Sequence, residues 1–208
     1  MASPDRPSAT RNGLAMAELD ARERILRACR NEIARYGQRG LRVQRVAKQA
    51  GVSLGLVYYH FDDRVGLLNA TVDYINEAAE RRGRRAAMGM HGMELLEQIL
   101  LSEFDDDIAT RDGSVVWNEI RAAAVFEPEM QPALRASTAR WEQSLMSALA
   151  EAGVNATEMH SRAILLTAIV EGLSSRWLSG QIAADTARNL MRIGLVGLMH
   201  SELATSME

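Results

Sequence analysis

Apolar residues in the N-terminal part of the chain recur at three- and four-residue spacing, the pattern of successive helices that each bury one face. A first helix is expected from near Asp20, a residue suited to cap it, with Ile25, Leu26, Cys29, Ile33 and Tyr36 inward and Gly37 and Gly40 at its end. A second, Arg42 to Ala50, turns Val43, Val46, Ala47 and Ala50 to one side. Gly51, Val52 and Ser53 then form a joint. Glycine takes a left-handed backbone without a side-chain clash, valine wedges between the helices, and serine accepts from the open amides of the next helix. The turns that follow place Val57 and Phe61 inward, while Leu54, Gly55, Tyr58 and Tyr59 point elsewhere and leave the tyrosine hydroxyls and His60 for polar contacts. Asp62 and Asp63 suit the partly positive start of a fourth helix, which runs to about Arg82 on Val65, Leu68, Val72 and Ile75.

The remainder reads as five more helices. Met93 to Arg111 carries Leu95, Leu96, Ile99, Leu100, Phe104 and Ile108 inward, and places the acidic run Asp105 to Asp107 on a solvated helix face. Ser114 to Phe126 follows, then a helix opened by Pro128 that runs to Ala152 before Gly153. Asn155 to Ser179 and Ala183 to about Leu203 complete the set. The expected architecture is all-α. Residues 1–17 form a flexible tail, 18–64 a small helical domain, 65–85 a connecting helix and linker, and 86–208 a larger helical domain. The glycine-broken segment Arg81 to Met93 marks the boundary.

Composition excludes several classes. Four prolines and few β-branched or aromatic runs argue against a β architecture. The single cysteine, Cys29, has no intramolecular partner, and its place on an apolar stripe fits a small buried hydrophobe. No signal peptide or membrane span is read, the longest apolar run, Ala163 to Val170, being far short of the roughly 20 residues that a spanning helix needs, so a cytoplasmic protein without membrane contacts is expected. His60, His91, His160 and His200 lack metal-ligand spacing and no phosphate-cradling glycine loop is present; no enzyme activity, metal or cofactor is expected. Charge divides unevenly. Residues 1–64 carry 12 Lys and Arg against 7 Asp and Glu, whereas residues 65–208 carry 12 against 20, for a net −3 in all. A basic end on an acidic protein suits phosphate binding at that end alone.

The basic end coincides with two short helices joined by a tight turn, a helix-turn-helix, whose second helix enters the major groove by its N-terminal end. The segment GVSLGLVYYHFDDRVGLL, Gly51 to Leu68, resembles the signature of the tetracycline-repressor (TetR) family of bacterial transcription regulators, and the likeness covers roughly Asp20 to Glu80. By that resemblance Arg42, Gln44, Arg45, Tyr58, His60 and Arg64 occupy positions that hold phosphates or flank the groove, with Tyr59 beside them. Ser53, Leu54, Gly55 and Leu56 form the tip of the reading helix, where Gly55 permits close backbone approach and Leu54 or Leu56 meets thymine methyls. Arg42 departs from the small hydroxyl usual in the family, exchanging a helix cap for a longer-reaching cation.

The resemblance also implies a double-stranded operator, a homodimer and a small-molecule effector that relieves repression. In the last two helices apolar residues wrap more than one face, and Ile164, Ala168, Gly172, Ser175, Ile193 and Val196 are the expected dimer contacts. Two heads then sit about 34 to 36 Å apart, one DNA turn, or a near multiple of it. Trp117, Arg121, Phe126, Met130, Trp141 and Trp177 are the candidate effector pocket, aromatic walls plus one cation suiting an apolar or anionic organic ligand, although the same periodicity serves core packing. The segments WNEIRAAAVFEPEM and IVEGLSSRWLSG are loosely similar to the choline-responsive repressors of the family. The alternative is a helical interaction or sensor protein that has lost specific DNA binding.

Overall fold

The computed structural model describes residues 8–201, with side chains from Asp20 onward. Among the described residues the chain is all-α: α1 (Ser8–Gly40), α2 (Val43–Ala50), α3 (Leu54–Phe61), α4 (Arg64–Ala86), α5 (Gly92–Ser102), α6 (Ile108–Ala124), a short 3-10 turn (Pro128–Met130), α7 (Gln131–Glu151), α8 (Ala156–Leu178) and α9 (Ala184–His200). They form two compact units, residues 1–71 and 72–208, so the division falls inside α4. That point lies within the connecting segment expected over 65–85, ahead of the glycine-broken stretch from Arg81 to Met93. The helix instead runs through Gly83, where nothing crowds the missing side chain, and ends only at Ala86. At the other end the backbone is already helical at Ser8, so residues 8–17 are helix where the sequence suggested a tail. After Pro7 only Gly13 opposes a helix there, and without an apolar stripe propensity leaves no periodic signal. Residues 1–7, the rest of the expected tail, lie outside the described residues.

In the first unit α1 packs on α2 and α3, and α2 on α3. Ile25, Leu26, Cys29, Ile33, Val46, Val57 and Phe61 are among its buried side chains, each Leu, Ile or Phe worth about 1.5 to 3 kcal/mol against exposure. Tyr36, expected inward, is 47% exposed: at Gly37 the backbone leaves helical geometry (φ 70°, ψ 167°), and the tyrosine ring instead supports the guanidinium of Arg45 at 4.5 Å. Burial pushes the Cys29 thiol up to about 12, which keeps it an inert hydrophobe.

In the second unit α5, α7, α8 and α9 share a core of Leu96, Leu100, Phe104, Leu145, Leu149, Leu166, Trp177 and Met191, and α6 lies against α7 and α8. The sequence ran α5 on to Arg111 and started the next helix at Ser114; the structure ends α5 at Ser102 and begins α6 at Ile108. Asp107 makes the difference. Its Oδ1 accepts from the amides of Ala109 and Thr110 and its Oδ2 from the Thr110 hydroxyl, capping α6; burial opposes its charge, but those bonds hold its carboxyl below the usual range. The acidic run is therefore a connection, not a helix face: Asp105 pairs with Arg188 at 2.5 Å, and Asp106 lies 3.6 Å from Arg111. Ile108, expected inward, is the first residue after the cap and is 80% exposed. Arg162, buried in α8, donates to the carbonyls of Leu198 and Ser201 and pairs with Glu158, closing the C-terminal end of α9 with a cation.

Candidate nucleic-acid interface and ligand cavity

The joint between α2 and α3 is fixed by backbone bonds. Gly51 sits at φ 67°, its amide reaching the Lys48 carbonyl (3.3 Å) while that of Val52 reaches Ala47 (3.0 Å), the paired closure that a left-handed residue permits. Ser53 then caps α3, its hydroxyl accepting from the Leu56 amide at 3.1 Å. Arg42 precedes α2 in extended conformation with no side-chain cap bond, as its identity implied.

The reading-helix residues are arranged unequally. Gly55, Tyr58 and Tyr59 are exposed, Leu54 and Leu56 partly so, and Val57 and Phe61 are buried. A side chain at Gly55 would meet nothing nearer than the Ser53 hydroxyl at 3.9 Å, so the helix tip is open to an approaching surface. Arg42, just before α2, and Gln44 on it are exposed, joined by Lys48, which the sequence reading left out although it is one turn from Gln44. Arg45 and Arg64 are tied inward. Arg45 donates through Nε to Glu32 (2.6 Å) and through Nη2 to the Gly40 carbonyl (2.6 Å), and Arg64 donates to the Gln38 carbonyl (2.8 Å). His60 is half-buried with its ring edge-on to Tyr59, and its Nε2 is sealed from solvent without a hydrogen-bond partner among the described residues.

In the second unit a cavity of about 160 Å³ opens among α4 to α8. Of the six expected pocket residues, Trp117, Arg121 and Trp141 line it. The other three do not. Phe126 is 73% exposed beyond the end of α6; Met130 is buried at the 3-10 turn; Trp177 lies in the core edge-on to Phe104, with Arg111 over its ring at 5.4 Å. The two lining indoles are pinned by their N–H groups: Trp117 donates to Asn76 Oδ1 (3.0 Å), whose amide donates to Ser137, and Trp141 donates to Thr167 Oγ1 (3.1 Å), whose hydroxyl donates to the Ala163 carbonyl (2.8 Å). With their polar edges satisfied, the rings are held as fixed walls.

Charge on the lining is mostly paired. Arg121 meets Glu171 at 3.1 Å and lies 5.7 Å from the Trp117 ring centre; burial presses its guanidinium below its ordinary value and Glu171 works against that. Arg140 pairs with Asp73 and Arg84 with Glu80 (3.3 Å). The cation that sequence reasoning offered to an anionic ligand is thus already countered. Glu103, which that reasoning passed over, also lines the cavity, and burial pushes its carboxyl up to about 7 against the opposing pull of Arg82. A signal existed: Glu103 continues the stripe of Leu96, Ile99 and Leu100, so an ionisable residue stands at an inward position.

The expected dimer residues occupy two adjoining helices. Ile164, Ala168, Gly172 and Ser175 recur at three- and four-residue spacing along α8, and Ile193 and Val196 along α9; all six are exposed in the single chain, Ile193 by 68% and Val196 by 57%.

Among the described residues no helix is long and apolar enough to cross a membrane. Residues 25–71 match the family described as bacterial regulatory proteins of the tetR family, and residues 92–200 match the BetI-type transcriptional repressor C-terminal family. The HTH-type transcriptional regulator BetI of Stenotrophomonas maltophilia (strain R551-3) is 34% identical over 177 residues, which is 81% of this chain and 88% of that protein. Among solved structures, a TetR-family transcriptional regulator from Rhodococcus sp. superposes with a TM-score of 0.83 at 38% identity, covering 86% of this chain and 98% of its own. A transcriptional regulator from Saccharomonospora viridis, solved in complex with choline, shares the fold at 21% identity, with a TM-score of 0.72 over 85% of this chain and 95% of its own. The capped reading helix, the family matches and these relatives agree: the chain belongs to the TetR family of bacterial regulators, with a BetI-type C-terminal domain, and is a DNA-binding transcriptional repressor.

Proposed function

We propose that this repressor binds a palindromic operator as a homodimer and leaves it when a small organic cation fills the cavity of the second unit. On DNA, Ser53, Leu54, Gly55 and Leu56 face base edges, and Arg42, Gln44, Tyr58 and Tyr59 engage phosphates on either side. Arg45 and Arg64 serve the same backbone from fixed positions, because their intramolecular bonds fix the guanidinium before DNA arrives. His60 supports Tyr59 by ring contact. The exposed α8 and α9 residues, Ile164 and Ile193 among them, are covered by the second protomer in a self-complementary contact.

The observation that carries the cationic reading is the cavity itself: two pinned indole walls, Trp117 and Trp141, with the arginine beside Trp117 already neutralised by Glu171. Indole faces attract quaternary ammonium groups. The choline complex of the Saccharomonospora viridis regulator supports the same class. The test is anisotropy of a fluorescent duplex covering the DNA upstream of the gene, with a scrambled duplex as control, near physiological salt. Binding at least a hundredfold tighter to the native duplex is expected, weakened by Tyr58→Phe and reversed by choline. Equal binding to both duplexes at every salt concentration refutes the operator reading, and choline without effect on a specific complex refutes the effector reading.

A further inference from the structure

Seven charged side chains line the cavity, and five of them are matched by ion pairs: Glu80 with Arg84, Arg121 with Glu171, and Arg140 with Asp73. Glu103 and Arg82 remain. No hydrogen bond joins them, and among the described residues none reaches the Glu103 carboxylate from any other side chain. Glu103 follows the last turn of α5, on the inward stripe, and lines the cavity without an ion-pair partner. A part-buried carboxylate without a donor is an unfinished interaction.

Resting on the cationic reading above, we propose that Glu103 is the residue that selects for charge in this cavity: its carboxylate meets the ligand's cationic group between the Trp117 and Trp141 walls, and binding expels whatever proton it carries. The proton account follows from the groups that face it. Burial raises its affinity for a proton and Asp105, in the turn beyond α5, adds to this; Arg82 from α4 and Arg121 from α6 oppose it. Asp105 is itself paired with Arg188 of α9, and Arg121 with Glu171 of α8, so both are blunted. The balance leaves Glu103 titrating at about 7. It is therefore about one-tenth ionised at pH 6 and about nine-tenths at pH 8. A cation that requires the ionised form binds about tenfold more tightly at pH 8 than at pH 6, and releases about half a proton per ligand at pH 7.

The experiment is calorimetric titration of the full-length protein with choline chloride at pH 6, 7 and 8. It is repeated in two buffers of different ionisation enthalpy and set beside 3,3-dimethylbutan-1-ol, which has the same shape without charge. The expected results are the tenfold rise for choline, a buffer-dependent heat that reports proton release, and a pH-independent response to the alcohol. Glu103→Gln lowers choline affinity at pH 8 at least tenfold and removes the trend. Choline bound with no pH trend and no proton release overturns the role of Glu103 while leaving a cationic ligand in place, as does a trend that survives in Glu103→Gln. Choline that fails to bind at any pH overturns both readings together. Should Glu103→Gln not fold, proton release by the unaltered protein decides.

Discussion

Arg45→Ala is expected to unfold the reading head more easily before it touches any question of DNA. The arginine is held by three contacts: Glu32 at 2.6 Å, the Gly40 carbonyl at 2.6 Å, and the face of Tyr36 at 4.5 Å. Glu32 is 7% exposed, so removing the guanidinium strands a carboxylate in the interior of α1. A hydrogen bond to a charged group contributes about 1.5 to 3 kcal/mol, and breaking a buried pair costs about 3 to 5 kcal/mol. Because the Arg45 side chain is 44% exposed, water reaches part of the site and the lower figures apply, giving a loss of about 2 to 3 kcal/mol. Urea unfolding followed by circular dichroism reads this as a lower midpoint at unchanged slope. The double variant Glu32→Gln with Arg45→Ala removes the stranded charge and recovers about half of the loss. A single variant within about 0.5 kcal/mol of the parent would show that Glu32 is content without the arginine, and Arg45 would then be a DNA contact alone.

Further outcomes follow from other contacts. Ser53→Ala removes the acceptor for the Leu56 amide and should cost about 1 kcal/mol in urea unfolding, with operator affinity reduced as well. Ile193→Glu, on the exposed face of α9, should convert a dimer into a monomer in sedimentation while leaving helical content unchanged. Glu103 has a folded-state value raised from 4.5 to about 7, so its contribution to stability is complete below pH 4.5 and is lost as pH rises through 7. Glu103→Gln, which has no such loss, should therefore gain relative to the parent between pH 5 and pH 8, by at most about 3 kcal/mol, and thermal melts at the two pH values measure it.

The reading head was legible in the sequence because its information is local. Gly51 and Ser53 each answer a geometric demand within three residues, and the structure meets both with the bond they call for, whereas Val52, read as a wedge, is only half-buried. Side-chain commitments between helices were not legible: nothing near Arg45 in sequence announces Glu32, thirteen residues away, and nothing near Arg64 announces the Gln38 carbonyl. The cavity was half legible for a different reason. Trp117, Trp141 and Trp177 share the same inward periodicity, and only contacts between helices distinguish Trp177, which fills core, from Trp117 and Trp141, which line the cavity. Asp107 shows the opposite failure, a strong local signal masked by its acidic neighbours, which made a cap look like part of a charged face.

The turn from α3 to α4 is two residues long, and its closure has a mechanical meaning. Asp62 adopts φ 60°, the one non-glycine residue among those described with a positive φ, and the Asp63 carboxylate accepts from the Gly66 amide at 2.7 Å. A side chain at Gly66 would overlap the Phe61 carbonyl, so the first turn of α4 rests directly against the last residue of the reading helix. Such a corner leaves little free space between the two helices, so the start of α4 has little room to shift without displacing the end of the reading helix.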